Sequence, residues 1–207
     1  MTTVAVVPVQ RLSTAKSRLA ERLNPDERRV LVLSLLDHVL ATLNAARHVD
    51  AVILVSPDLE VLDRAARHGA VPLLQPGSGL NEGLRLGRDE AVRRGADTLL
   101  IVLADLPWVT ADEIDALVAA LPERGVALAP DRHEHGTNAA ALRPPDAIEP
   151  AFGAGSFARH QAQTVARGLP LQELRVRGLA FDIDTPADLE ELAGHATVSA
   201  SSDESGT

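Results

Sequence analysis

Cysteine is absent from these 207 residues. That removes disulfide frameworks, thiolate zinc sites and cysteine nucleophiles together. Tyrosine is absent too, and with three Phe and one Trp there is little aromatic surface on which single-stranded bases would stack. No apolar run approaches the ~20 residues that a membrane-spanning helix needs, and no signal-peptide h-region is present. The expectation is a cytoplasmic protein with no membrane association. Excess positive charge is also missing, since the formal net charge is −9. Neutralising a nucleic-acid backbone takes a basic patch, so nucleic acid is not an expected partner. Small anions remain open, through local Arg or Lys, helix N-termini or metal ions.

Lysine is nearly absent as well: of 20 basic residues 19 are Arg, and the exception is Lys16. Lys is a compact point charge on a flexible stem where Arg is a planar fork, and phosphate-binding loops often use the former. Lys16 follows the apolar run 4–9 by a short polar stretch and precedes Ser17 and Arg18 at the start of a helical pattern. The order reads strand, loop, helix. Lys16 is either a phosphate contact at that loop or a chance surface lysine.

What is present is an alternation of short apolar runs and helical patterns. Runs 4–9, 51–55, 70–74 and 98–104 read as strands buried on both faces, as parallel strands are. Helix-start chemistry recurs between them: Asn24-Pro25-Asp26-Glu27, Ser56-Pro57-Asp58, Thr110-Ala111-Asp112-Glu113 and Thr185-Pro186-Ala187-Asp188. Such units predict a three-layer α/β/α domain with a mainly parallel sheet, whose ligands bind at the carboxyl ends of the strands. Further on, 126–129 and 137–142 read as strands around a loop, 157–167 as a helix and 171–176 as another strand. One domain over 1–194 is expected, followed by a disordered Ser-, Gly- and Thr-rich tail over 195–207.

Three carboxylates stand out. Asp105 ends the run 98–104 in Leu103-Ala104-Asp105-Leu106-Pro107, at the ligand edge of the sheet, as a metal ligand or as the cap of a turn. Phe181-Asp182-Ile183-Asp184-Thr185-Pro186 sets two carboxylates two apart, on one face if the segment is extended. A divalent ion such as Mg²⁺, which takes hard oxygen ligands, would relieve their repulsion. Asp184 reads equally as a helix N-cap, and Asp182 is the stronger ligand candidate. The loop Gly77-Ser78-Gly79-Leu80-Asn81-Glu82-Gly83 either brings backbone close to a base or phosphate, with Asn81 offering donor and acceptor, or merely connects strand to helix. It is not a Walker loop, and the dinucleotide-binding glycine fingerprint is missing after the first strand. His133-Glu134-His135 lacks the further ligands of a zinc site. No serine-hydrolase elbow occurs.

Taken in order, Val6-Val7-Pro8-Val9 with Lys16-Ser17-Arg18-Leu19, Gly79-Leu80-Asn81, Asp105-Leu106-Pro107, Gly136-Thr137-Asn138, Phe152-Gly153-Ala154-Gly155-Ser156-Phe157 and Asp182-Ile183-Asp184-Thr185-Pro186 resemble one family. It is the 2-phospholactate or phosphoenolpyruvate guanylyltransferases of coenzyme F420 biosynthesis. The resemblance implies a nucleotidyltransferase-like, glycosyltransferase-A-type fold, GTP and Mg²⁺ as reactants, and attack by the phosphate of a small phosphorylated acid on the α-phosphorus of GTP. It implies Asp105, Asp182 and Asp184 as metal ligands and Thr137, Gly153 and Ser156 as the acid pocket. Lys16 and Arg18 are then triphosphate contacts and Asn81 a guanine contact, with Lys16 and Asp105 carrying catalysis. A downstream deazaflavin-transferring enzyme is an implied partner.

One departure is visible. The family often has Lys where this chain has Gln10, which shifts phosphate binding toward Arg11 or Lys16. The acceptor is phosphoenolpyruvate or 2-phospho-L-lactate; 3-phosphoglycerate or a sugar phosphate is the alternative, as is a non-catalytic nucleotide-binding protein.

Overall fold

The computed structural model describes residues 1–77 and 79–203. Seven strands, β1 (Thr3–Pro8), β2 (Ala51–Ser56), β3 (Val71–Leu74), β4 (Thr98–Val102), β5 (Gly125–Pro130), β6 (Thr137–Arg143) and β7 (Leu171–Glu173), form one sheet in the order β3-β2-β1-β4-β6-β5-β7. Four of its six pairings are parallel, and the antiparallel ones are those of β6 with β4 and with β5. The mainly parallel α/β architecture is therefore as expected. β6 runs the other way because a loop too short for a crossover, residues 131–136, returns the chain from β5 as a hairpin.

Helices α1 (Pro25–Ala45), α2 (Leu59–Arg67) and α4 (Ala111–Ala119) cover one face, and α3 (Leu80–Arg93) and α5 (Ser156–Ala166) the other. Strand periodicity divides the core between them. Ala5, Val7, Leu100 and Val102 pack on the first layer, while Val4, Val6, Leu99 and Ile101 pack on the second. On α1 the buried residues Val32, Leu33, Leu36, Leu40 and Leu43 recur at helical spacing. Each fully buried leucine contributes about 1.5–3 kcal/mol. That helix starts at Asn24, whose side chain accepts from the Glu27 N–H while the Glu27 carboxylate accepts from the Asn24 N–H. On the opposite face α3 lies so close to the sheet that a Cβ on Gly87 would sit 2.5 Å from Val6 Cγ1. Only glycine fits there.

From β1 the chain runs outward to β2 and β3, then crosses β1 to β4 on its other side. This reversal opens a crevice at the carboxyl ends of β1 and β4. Because β6 is antiparallel to β4, its first residues lie at that same edge, with Val102 opposite Ala139.

The helical pattern read from Ser17 is a single 3-10 turn, Ser17–Leu19, and the short helix α6 (Arg177–Ala180) was not anticipated. The last helix, α7 (Pro186–Asp203), also continues beyond the expected boundary at 194. Once its first turns are docked through Leu189 and Leu192, each further helical residue costs little compared with nucleation. Of the expected tail, 204–207 lie outside the described residues. Among the described residues no helix is long and apolar enough to cross a membrane.

Candidate active site

The crevice is a cleft of about 600 Å³. Lys16 and Arg18 enter it from the loop after β1, Asp105 from the loop after β4, Thr137 from β6, Gly153 and Ser156 from the turn into α5, and Asp182 and Asp184 from the segment before α7. These are eight of the nine residues singled out in the sequence. Asn81 is the ninth, and it is engaged elsewhere. Its Nδ2 donates to the Phe152 carbonyl at 3.1 Å and its Oδ1 accepts from the Phe152 N–H at 2.7 Å. The amide expected to read guanine thus ties the start of α3 to the turn 152–156. Of the glycine-rich loop, Ser78 lies outside the described residues.

Backbone registration brings the carboxylates together. β4 stops at Val102, two residues earlier than expected, and the Leu103 N–H donates to the Asn138 carbonyl at 3.0 Å. Two residues on, the Asp105 carbonyl accepts from the Ile183 N–H at 3.2 Å, so the segment 181–184 is pinned beside Asp105. Phe181 is extended, with φ −101° and ψ 113°, and stacks on Trp108 with centroids 3.9 Å apart. Asp182 and Asp184 therefore share a side. One carboxylate oxygen from each of Asp105, Asp182 and Asp184 lies within 4.8 Å of the others.

Capping at α7 leaves Asp184 available. The Asp188 N–H faces Thr185 Oγ1 at 3.4 Å, and Asp188 Oδ2 accepts in return from the N–H groups of Asp184 and Thr185. Thr185 is the capping side chain, so the Asp184 carboxylate is free for another partner.

That partner is Lys16. Its Nζ lies 2.5 Å from Asp105 Oδ2 and 2.9 Å from Asp184 Oδ1. Burial alone would lower the ammonium pKa, but the two carboxylates outweigh it and hold it above the ordinary lysine range. Asp182 has no such cation in contact. Burial first, then Asp105 and Asp184, push it up to about 6, although it accepts a hydrogen bond from Asn138 Nδ2 at 3.3 Å. Asp105 Oδ1 is buried with no hydrogen-bond partner among the described residues. A buried carboxylate oxygen without a donor, among three converging hard-oxygen ligands, is the environment a divalent cation fits.

The same cleft is lined by two hydroxyls, those of Thr137 and Ser156. Gly153 and Gly155 have φ of +103° and +71°, which bends the turn 152–156 into the first turn of α5. Two N–H groups there are already engaged, Ser156 by the Gly153 carbonyl and Phe157 by the His135 carbonyl. Those two are closed to an anion. The side chain is open: Ser156 Oγ is buried without a hydrogen-bond partner among the described residues. Thr137 Oγ1 lies opposite on β6 and contacts His160 Nδ1 at 3.0 Å.

At the mouth, Arg18 is 76% exposed with Nη1 3.6 Å from Asp184 Oδ2. Gln10, which stands where the resembling family often has Lys, lines the cleft with its Nε2 buried and unpartnered. Among the described residues, His133 and His135 of the loop 131–136 do not gather with a third ligand. Asp131 organises that loop, accepting at Oδ1 from the N–H groups of His133 and His135 and at Oδ2 from that of Gly136.

A family profile described as "Guanylyl transferase CofC like" matches residues 3–203. A phosphoenolpyruvate guanylyltransferase of Sphaerobacter thermophilus is 88% identical over 207 residues, covering all of both chains. One of Rubrobacter xylanophilus is 42% identical over 193 residues, 93% of this chain and 94% of that one. Among solved structures, a nucleotidyl transferase from Methanothermobacter superposes with a TM-score of 0.68 at 16% identity, covering 94% of this chain and 97% of the other. CMP:2-keto-3-deoxy-manno-octonic acid synthetase complexed with CTP gives 0.66 at 14% identity, with 96% and 100% covered. At such identities the structural likeness concerns the fold.

Proposed function

The chain belongs to the CofC-like guanylyl transferase family, and we propose that it joins GMP from GTP to the phosphate of phosphoenolpyruvate, with release of pyrophosphate, in coenzyme F420 biosynthesis. The observation that carries this reading is the convergence in one cleft of three carboxylates, a lysine whose side chain is 10% exposed and two hydroxyl side chains.

The acid occupies the Thr137, Gly153 and Ser156 pocket. A hydroxyl donor suits either its phosphate or its carboxylate, and Ser156 Oγ is unpartnered until such an acceptor arrives. A phosphate oxygen of the acid attacks the α-phosphorus of GTP. One oxygen–phosphorus bond forms there as the bond to the β-phosphate bridging oxygen breaks, and pyrophosphate leaves with the bonding electrons. The nucleophile is already an anion, so no general base is required. Catalysis is then positioning plus charge stabilisation.

Lys16 and Arg18 hold the triphosphate. A protein of net charge −9 needs such local cations to accept two polyanions at once. Asp105, Asp182 and Asp184 would hold Mg²⁺, which when bound neutralises charge developing on the phosphates. Gln10, with an unpartnered amide, offers the nucleotide a neutral donor in place of the family's frequent Lys. GTP and phosphoenolpyruvate are cytoplasmic metabolites, and that is where the reading puts the protein. The product is an activated phosphoanhydride, suited to a deazaflavin-transferring enzyme downstream.

The test measures pyrophosphate release from GTP and Mg²⁺ with phosphoenolpyruvate, 2-phospho-L-lactate or 3-phosphoglycerate in parallel, with product mass determined. Phosphoenolpyruvate should be the best acceptor. No release with any acid, from folded protein, sinks the reading.

A further inference from the structure

His160 is 1% exposed, one helical turn from Ser156 on the same face of α5, and behind Thr137 rather than in the cleft. Its two ring nitrogens face different elements. Nε2 accepts from the Ala151 N–H at 3.1 Å, and Nδ1 lies 3.0 Å from Thr137 Oγ1. A backbone N–H can only donate, so Nε2 must carry the lone pair. In a neutral ring the proton is then on Nδ1, and Nδ1–H donates to Thr137. Burial, and next the charge of Arg159, lower the His160 pKa to about 4, which keeps the ring neutral at working pH.

We propose that His160 is a positioning residue for the acid substrate: it fixes the Thr137 hydroxyl as a hydrogen-bond donor toward the anion and ties the turn bearing Gly153 and Ser156 to the same ring. A Thr137 hydroxyl that accepts from Nδ1–H cannot give its own proton back to that nitrogen. The proton is left for an acceptor elsewhere, and the cleft is what Thr137 lines. The same ring packs edge-on against Phe152, with centroids 4.8 Å apart, and its Nε2 anchors Ala151 just before the turn. One imidazole thereby registers the β6 half of the pocket against the α5 half. This inference rests on the assignment of Thr137 and Ser156 to the acid.

Two measurements test it. In protein labelled with ¹⁵N in the histidine rings, long-range ¹H–¹⁵N spectra should show His160 neutral with its proton on Nδ1, with and without phosphoenolpyruvate. A proton on Nε2, or a charged ring at neutral pH, overturns the proposal without touching the assigned reaction. For kinetics, His160→Phe keeps an aromatic ring against Phe152 but removes both nitrogens. It should raise the acid KM roughly tenfold, the size of one lost hydrogen bond to an anion, with the GTP KM little changed. Thr137→Val should do the same, and the double variant should be no worse than either alone, because the two side chains act as one unit. A raised acid KM in Thr137→Val but not in His160→Phe, or multiplicative losses in the double variant, overturns the inference alone. An unchanged acid KM in Thr137→Val removes the pocket assignment and this inference with it.

Discussion

Lys16 Nζ sits 2.5 Å from Asp105 Oδ2, so the single lysine of the chain is the internal counter-ion of the carboxylate cluster. It is held there by a left-handed backbone, φ 52° and ψ 39°, which a residue other than glycine adopts only when its surroundings require it. One cation bridging Asp105 and Asp184 offsets the repulsion between them.

Replacing Lys16 with Arg tests whether point-charge geometry matters. The guanidinium fork cannot occupy a space that admits one ammonium nitrogen between two carboxylates. Lys16→Arg should lower kcat/KM for GTP by about tenfold or more, the cost of misplacing one charge-assisted bond. Steady-state kinetics with varied GTP measures it, and unchanged values would retire the role.

Removing the charge altogether tests the counter-ion itself. Breaking a buried pair typically costs about 3–5 kcal/mol, and with Asp184 45% exposed the loss in Lys16→Met should be nearer about 2 kcal/mol. Mg²⁺ should restore more stability to this variant than to the parent chain. Thermal melts with and without Mg²⁺ are the check; equal gains would separate Lys16 from the metal site.

A pH dependence follows from Asp182. Its carboxyl is raised from the ordinary 3.8 to about 6 by burial and by Asp105 and Asp184. A group raised on folding favours the folded state while protonated, and that contribution is lost as pH rises through about 6. Metal-free protein should therefore lose stability from this group as pH rises from 3.8 to about 6, and Mg²⁺ should raise Tm more above that window than within it. A Mg²⁺ effect larger at pH 5 would contradict the assignment.

Ser156 gives a divergence between stability and function. Its buried hydroxyl has no partner, so Ser156→Ala should leave Tm unchanged or slightly higher while raising the acid KM. Melting curves and acceptor kinetics on the same preparation decide it. A lower Tm with unaltered KM would make the hydroxyl structural.

Asn81 separates two roles. If it positions the 152–156 turn, as its paired bonds to Phe152 indicate, Asn81→Ala should raise the acid KM more than the GTP KM. The reverse pattern would return it to guanine binding.

Much of the site was legible because strand ends and helix caps carry local signatures. Asn24, Asp58 and Thr110 cap the helices they announce, and Asp105 lies just past β4 as the apolar run foretold. Less legible were relations between distant segments. Nothing local in Lys16 reveals that Asp184, 168 residues away, would meet its ammonium. His160 looks like any polar residue within a helix until β6 is set against α5, and Asn81 looks free until Phe152 is beside it. The reversal of β6 was readable only as a short loop between two apolar runs.

The central claim is transfer of GMP to the phosphate of phosphoenolpyruvate, and ³¹P NMR of the reaction mixture tests it most directly. The phosphomonoester signal of phosphoenolpyruvate should give way to a pair of coupled anhydride signals, in step with free pyrophosphate. A phosphoenolpyruvate signal that persists while GTP is consumed would contradict it.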